Sequence, residues 1–125
     1  MKESPRFGRA AVAAPHHLAA EAGRAVLEQG GNALEAMVAM GAAIAVVYPH
    51  MTGIGGDGFW LIREPSGKMR ALDASGYAGS GATIKAYHAR GIETIPVRGA
   101  HAALTVPGAV AGWRAALELS RSLGG

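Results

Sequence analysis

Apolar positions change their spacing along this chain, and the spacing predicts helices in the first half. Within His17–Gln29 they return every three or four residues, which is the period of an amphipathic helix. A second helix follows from Asn32 to about Tyr48, where Asn32 and Glu35 have the spacing of a capping box. Apolar residues surround nearly the whole circumference of this second helix, so we expect it to be buried.

β-structure is predicted at two places. The apolar run Arg9–Ala14 favours a short buried strand before the first helix. Farther along, Phe59–Arg63 and Met69–Leu72 flank the Gly-containing turn Glu64–Lys68, a pattern typical of a β-hairpin. Helices and an antiparallel hairpin in one chain indicate an α+β fold.

The remaining segments are a loop and two further helices. Small residues fill the loop Asp73–Gly81, where flexibility or close approach is needed. A short helix is predicted over Thr83–Arg90, with Thr83 as its N-cap, and an amphipathic helix over Gly108–Leu123.

The glycines of the run Gly53–Gly58 fit the G-x-G-x-x-G pattern of nucleotide-binding turns. A nucleotide site needs a strand before the glycines and a helix after them, and here the order is reversed. The run therefore predicts a turn with positive φ or a close backbone approach rather than a phosphate site. We expect Asp57, within this turn, to be a solvated turn residue and not a catalytic one.

Composition limits the functions that the chain can have. Half of its 125 residues are apolar and only 17% are charged, so we expect one domain at most, and one that needs a covering partner. The basic residues are scattered without aromatic interleaving, which argues against nucleic-acid binding. There is no cysteine, so disulfides and thiolate chemistry are excluded.

Neither a membrane segment nor a cofactor site is predicted. The charged N-terminal residues are not followed by an apolar signal core, and the uncharged stretch Ala36–Gly56 is too short in its apolar part to span a bilayer. We therefore expect a cytoplasmic location. No histidines have the spacing of a metal site, and we expect no metal or other cofactor; the histidines are His16, His17, His50, His88 and His101.

Four motifs, in this order, resemble the start of the γ-glutamyltransferase family of N-terminal nucleophile hydrolases. They are the helix and Gly-Gly-Asn-Ala junction of His17–Ala33, the Pro-His and glycine turn within Val46–Phe59, Ala71–Asp73, and the Val-Pro-Gly run of Val106–Gly112. The resemblance covers nearly the whole chain but only the N-terminal part of the family's large subunit, which implies that residues 1–125 form a single partial domain.

The resemblance implies a fold, an activity and a partner. The fold would be part of a four-layer αββα sandwich. Family members cut themselves into two subunits and attack a small-molecule amide with the new N-terminal threonine of the small subunit, whose free α-amine can act as the base. That threonine would lie beyond Gly125, so we predict no catalytic residue here and expect a C-terminal remainder or small subunit as partner.

The resemblance also points to three substrate-binding candidates. Family members carry an arginine two residues after the aspartate of the Leu-Asp motif, and this chain has Ser75 there. A hydroxyl cannot replace the bidentate guanidinium, so oxamate, the substrate of a related branch, is an alternative to a γ-glutamyl group. Asp73 is expected either to brace its loop or to face the pocket, and Arg98 to take over the missing contact with an anion.

A second class of function stays open. A non-catalytic fragment or module that binds a partner through its apolar surface would have the same composition.

Overall fold

The computed structural model describes residues 8–102 and 105–124, which form four helices and one hairpin. Their bounds, in chain order, are α1 (His17–Glu28), α2 (Ala33–Val47), β1 (Gly58–Arg63), β2 (Met69–Ala74), α3 (Ile84–His88) and α4 (Ala109–Ser122). The chain divides into two compact units, one of residues 1–54 with 113–125 and one of residues 55–112. That the chain forms a single partial domain stays a prediction.

The first unit is built on the pair α1 and α2, which pack against each other. The predicted capping box is confirmed, because the Asn32 side chain accepts from the N–H groups of Leu34 and Glu35 while Glu35 accepts from the Asn32 N–H. Asn32 also donates to the hydroxyl of Ser120, 2.6 Å away, and that hydroxyl donates to Glu35. Because Ser120 is almost fully buried, this network fixes the start of α2 against α4.

The prediction of a buried α2 is wrong for this chain. Ala36 and Met40 are buried, but Met37 is 49% exposed and Val46 is 77% exposed. Packing against α1 brings Met40 over Gly23, where an added Cβ would lie 2.5 Å from the methionine Cγ. The described residues cover only part of the apolar circumference, and the rest of it stays open.

The second unit contains the antiparallel pair β1 and β2, which confirms the predicted hairpin. Its turn is closed by the N–H of Glu64 donating to Lys68 O and by Gly67 at φ +87°, a backbone conformation that glycine adopts without steric cost. Arg70 donates to the Glu64 carboxylate. This contact, with help from the Ser66 hydroxyl, holds the pKa of Glu64 below its ordinary value.

The faces of the hairpin differ in exposure. Trp60 pairs with Leu72 on a half-covered face that also carries the buried Ile62. On the opposite face, Phe59 is 72% exposed and Leu61 is 76% exposed. One apolar face of β1 is therefore open to solvent.

Both later helices form where the pattern predicts them. Thr83 caps α3 by accepting from the N–H of Ala86, and Gly91 follows the helix at φ +71°. The first residues of α4 belong to the second unit, and its remainder, from Trp113 on, belongs to the first.

The predicted strand at Arg9–Ala14 is absent. A strand needs a neighbour for its backbone groups, and in the described part of the chain β1 and β2 pair only with each other. No helix in the described ranges is long and apolar enough to cross a membrane.

Candidate functional site

The candidate site is a cavity of about 440 Å³ in the second unit. Such a volume lies within the usual range of small-molecule sites. Its wall comes from the end of β2 with the following loop, and from the start of α4 with the residues before it. The lining residues are Leu72, Asp73, Ala74, Ser75, Gly76, Tyr77, Val106, Pro107, Gly108, Ala111 and Gly112.

Backbone contacts hold the two walls together. The N–H of Val106 donates to Tyr77 O at 2.9 Å, and Ala78 forms an antiparallel bridge with Thr105. Gly76 has φ +78°, and a Cβ built on it would lie only 1.8 Å from Val106 O. No residue but glycine fits there without moving the wall.

A second glycine permits the same close approach from the opposite wall. A Cβ on Gly108 would lie 2.1 Å from Ala74 O. The N–H groups of Gly108 and Ala109 both donate to Gly56 O, at 3.1 and 3.0 Å, so the start of α4 is fixed to the glycine turn before β1. The walls are positioned by main-chain contacts rather than by long side chains.

For the glycine turn, positive φ or a close backbone approach is predicted, and the structure shows the second, because Gly56 O accepts from the start of α4. Gly53, Gly55 and Gly56 have no positive φ, and nothing in the described chain lies within 4 Å of a Cβ built on them. The positions at which a Cβ would clash with backbone atoms are Gly76 and Gly108. Asp57 is exposed, and its only side-chain partner among the described residues is the Thr105 hydroxyl at 3.5 Å.

Asp73 and Ser75 are brought together at the cavity. The N–H of Ser75 donates to Asp73 Oδ1 at 2.9 Å, which is the bracing turn expected for an aspartate in this loop. The Ser75 side chain, together with this N–H, holds the pKa of Asp73 below its ordinary value. Asp73 is therefore a carboxylate at neutral pH, and both residues line the cavity.

Arg98 lies apart from these two. It occupies an exposed bend before Gly99, and it does not belong to the cavity wall. A role for Arg98 in substrate binding stays a prediction.

Sequence reasoning missed the contribution of α4 and of Tyr77 to the cavity. The signal was present in the chain, because Gly108, Ala111 and Gly112 are small residues at helical spacing directly after Val106-Pro107. Small residues on one side of a first helical turn allow another backbone to approach closely.

A smaller cavity of about 160 Å³ lies beside α3, and Tyr87, His88 and Glu93 are among the residues that line it. His88 Nε2 is 3.8 Å from the Glu93 carboxylate. Among the described residues, no three histidine, aspartate or glutamate side chains come together as a metal site would require.

Comparison with known proteins identifies relatives for almost the whole chain. The gamma-glutamyltranspeptidase family model matches residues 19–120. The chain is 62% identical, over 90% of its length, to the oxamate amidohydrolase proenzyme of Klebsiella pneumoniae, and 46% identical, over 86%, to a glutathione hydrolase-like proenzyme of Bacillus subtilis. It spans 21% and 20% of those proteins, about a fifth of their length.

Solved structures agree with this assignment. The crystal structure of Helicobacter pylori gamma-glutamyltranspeptidase matches with a TM-score of 0.81 at 38% identity, over 94% of this chain and 34% of that one. The enzyme from Pseudomonas nitroreducens, complexed with L-DON, matches with a TM-score of 0.78 at 36% identity, over 91% and 34%. The fold is a partial α+β fold of the N-terminal nucleophile hydrolase type, which confirms the predicted class.

Proposed function

The chain belongs to the gamma-glutamyltranspeptidase family, and from this premise we propose that it forms one wall of the substrate site of an amidohydrolase. The enzyme would attack the carbonyl of a small amide with a nucleophile, break the C–N bond with release of ammonia or an amine, and pass the acyl group to water or another amine. The observation that carries the proposal is the place of Ser75 in a cavity wall, two residues after Asp73.

Ser75 favours a small acyl group over a γ-glutamyl group. The family resemblance implies an arginine at this position, whose planar fork binds a carboxylate through two parallel hydrogen bonds. A serine hydroxyl supplies one donor and no charge. The 62% identity with an oxamate amidohydrolase supports oxamate or a comparable small amide as substrate. Cleavage or transfer of a γ-glutamyl group is the second candidate, and the relatives named as a glutathione hydrolase or as glutathione hydrolase-like support the cleavage.

The nucleophile is proposed to come from another polypeptide. An internal threonine has no free α-amine, whereas an N-terminal threonine carries its own base beside the hydroxyl. The relatives named as proenzymes support a partner that arises by cleavage of a precursor. This chain would contribute binding and positioning, without a catalytic residue of its own.

The open face of β1 is the proposed contact with that partner. Phe59 and Leu61 point to the same side of the hairpin and are largely exposed, next to Ala71 on β2. Burying two such side chains contributes about 1.5–3 kcal/mol each. A second sheet laid on this face would complete the sandwich that the family resemblance implies.

The test is reconstitution. The chain is co-expressed with the polypeptide that follows it in the family, and release of ammonia from oxamate is measured beside release of the anilide from a γ-glutamyl anilide. We expect hydrolysis of oxamate by the assembly and none by the chain alone, because the proposed nucleophile belongs to the other polypeptide. Hydrolysis of neither amide by an assembly that forms would refute the proposed reaction.

The non-catalytic alternative rests on the same open face, since a partner-binding module also needs exposed apolar surface. Leu61→Lys, compared with Arg63→Lys on the same strand, separates the alternatives. Loss of both partner binding and hydrolysis in Leu61→Lys favours the enzyme. Partner binding by the unchanged chain without hydrolysis of either amide favours the module.

A further inference from the structure

The hairpin has two outer edges, and its turn determines which backbone groups lie on them. The N–H of Glu64 donates to Lys68 O, so these two residues are a hydrogen-bonded pair beside the turn. Hydrogen-bonded and non-hydrogen-bonded pairs alternate along an antiparallel pair of strands. In the observed register, Trp60 and Ile62 therefore bond to β2, and the backbone groups of the residues between them point away from it. The outward residues are Phe59, Leu61 and Arg63 on the β1 edge, and Met69, Ala71 and Asp73 on the β2 edge.

The β1 edge has no hydrogen-bonding neighbour in the part of the chain that the structure describes. The sheet there consists of β1 and β2 alone, and no backbone group of the described loops or helices bonds to Phe59, Leu61 or Arg63. Covering this edge without bonding to it would leave its N–H and C=O groups unsatisfied, which is costly. Whatever covers the edge must therefore supply donors and acceptors in the geometry of a strand.

The two edges differ in how they are protected from pairing with another strand. Natural proteins protect free edges with charged residues, prolines or local bends. The β2 edge ends in the exposed Asp73, and Gly76, at φ +78°, interrupts the extended backbone that follows. On the β1 edge, Phe59 is 72% exposed and Leu61 is 76% exposed, and Arg63 is its only charged residue. An exposed apolar edge of this kind is a template for another strand.

We propose that an extended segment of the partner polypeptide joins the sheet as a third strand along the β1 edge. The inference rests on the proposed two-polypeptide enzyme. It goes beyond contact between two faces, because the segment would bond to the backbone groups of Phe59, Leu61 and Arg63. The chain spans 21% and 20% of two relatives, so most of a relative's length lies outside it and can supply such a strand.

The two faces of the hairpin define the side chains that this segment needs. On one face, Trp60 Nε1 lies 3.2 Å from the position that a Cβ on Gly112 of α4 would take, so the helix covers the strand there. On the other face, Phe59 and Leu61 are the proposed contact with the partner. A third strand beside β1 would be covered on both faces. We therefore expect a run of about four to eight residues that is apolar throughout rather than alternating.

The cross-strand pair Leu61 and Ala71 separates edge pairing from contact of the faces. Both residues lie on the open face, but their N–H groups point to opposite edges. Leu61→Pro removes the N–H from the β1 edge and keeps the bonds between β1 and β2, as proline on an edge strand can. Ala71→Pro makes the matched change on the β2 edge, and Leu61→Ala removes the side chain alone.

Each variant is co-expressed with the partner polypeptide, and the Kd is measured from the dissociation of the purified assembly on dilution. We expect Leu61→Pro to raise the Kd at least about fivefold more than Leu61→Ala, because a backbone hydrogen bond is lost in addition to the side chain. Ala71→Pro should leave the Kd within about twofold of the unchanged chain, since the β2 edge is not used. Equal Kd values for Leu61→Pro and Leu61→Ala, or the absence of any assembly, would overturn the inference.

Hydrogen exchange of the unchanged chain tests the pairing without a variant, and it decides alone if Leu61→Pro does not fold. On assembly, the amides of Phe59 and Leu61 should gain at least about fivefold more protection than those of Ala71 and Asp73. Equal gains on the two edges would show contact of the faces only and overturn the pairing. Hydrolysis of oxamate by the same assembly is measured separately. Pairing without hydrolysis overturns only the proposed reaction, and hydrolysis without pairing overturns only this inference.

Discussion

Replacing Gly108 by alanine should destabilise the second unit strongly, because the added methyl group has no space. Its position lies 2.1 Å from Ala74 O, 2.7 Å from the carbonyl carbon and 3.0 Å from Gly76 N. Ordinary carbon–oxygen contacts are near 3.5 Å. The overlap is with backbone atoms, which cannot rotate away as the end of a side chain can.

Relief of the clash requires the start of α4 to move away from β2. Such a shift would strain the hydrogen bonds of Gly108 and Ala109 to Gly56 O. Overpacking costs about 1–3 kcal/mol, and loss of a backbone hydrogen bond about another 1 kcal/mol. The reduced freedom of the unfolded chain returns about 0.4–1 kcal/mol. We expect a net loss of about 1–3.6 kcal/mol from these terms.

The assay is urea unfolding followed by tryptophan fluorescence, since Trp60 lies next to Gly112 in the same unit. Gly79→Ala is the matched control, because nothing lies within 4 Å of its Cβ position and its φ is not positive. The control should unfold within about 1 kcal/mol of the unchanged chain. A free energy of unfolding for Gly108→Ala within about 0.5 kcal/mol of the control would refute the contact.

Three further changes test other parts of the structure. Asn32→Ala removes the cap of α2 and should cost about 1 kcal/mol or more in urea unfolding; unchanged stability would refute the capping network. Glu64→Gln should abolish a pH-dependent stabilisation of the hairpin. The pKa of Glu64 in the folded chain lies below the ordinary value of 4.5. The stabilisation is therefore present above pH 4.5 and is lost as the pH falls through the folded pKa. The prediction would be contradicted if the unfolding temperatures of the variant and the unchanged chain change in the same way across this acidic range. Ser75→Arg should lower the KM of the reconstituted enzyme for a γ-glutamyl anilide by about tenfold through a charged hydrogen bond. Ser80→Arg, outside the cavity wall, should not.

The elements that were predicted correctly depend on interactions between residues that are close to each other in the sequence. The capping box of Asn32 and Glu35 needs residues three positions apart, and the hairpin needs one turn between two short runs. The cavity could not be predicted in this way. It depends on contacts of Gly76 with Val106 and of Gly108 with Ala74, residues that are about thirty positions apart in the sequence. The sequence marked the loop Asp73–Gly81 for flexibility or close approach, but it could not show that Val106 is the residue that approaches Gly76.

The wrong prediction for α2 has a different origin. Its apolar circumference and the apolar run of β1 indicate burial, yet Val46 and Leu61 are among the most exposed large side chains of the described residues. The hydrophobic pattern of a sequence indicates which residues are buried in the complete assembly. The exposed fraction of a side chain in this structure depends only on contacts within this chain. Apolar residues that are predicted to be buried but are exposed in this chain are therefore expected to contact a partner. Such residues lie on α2 and on the open face of β1. Binding of a partner should therefore protect the backbone amide of Leu61 from hydrogen exchange more than it protects the amides of α1. Equal protection of the two on assembly would show that the partner binds elsewhere.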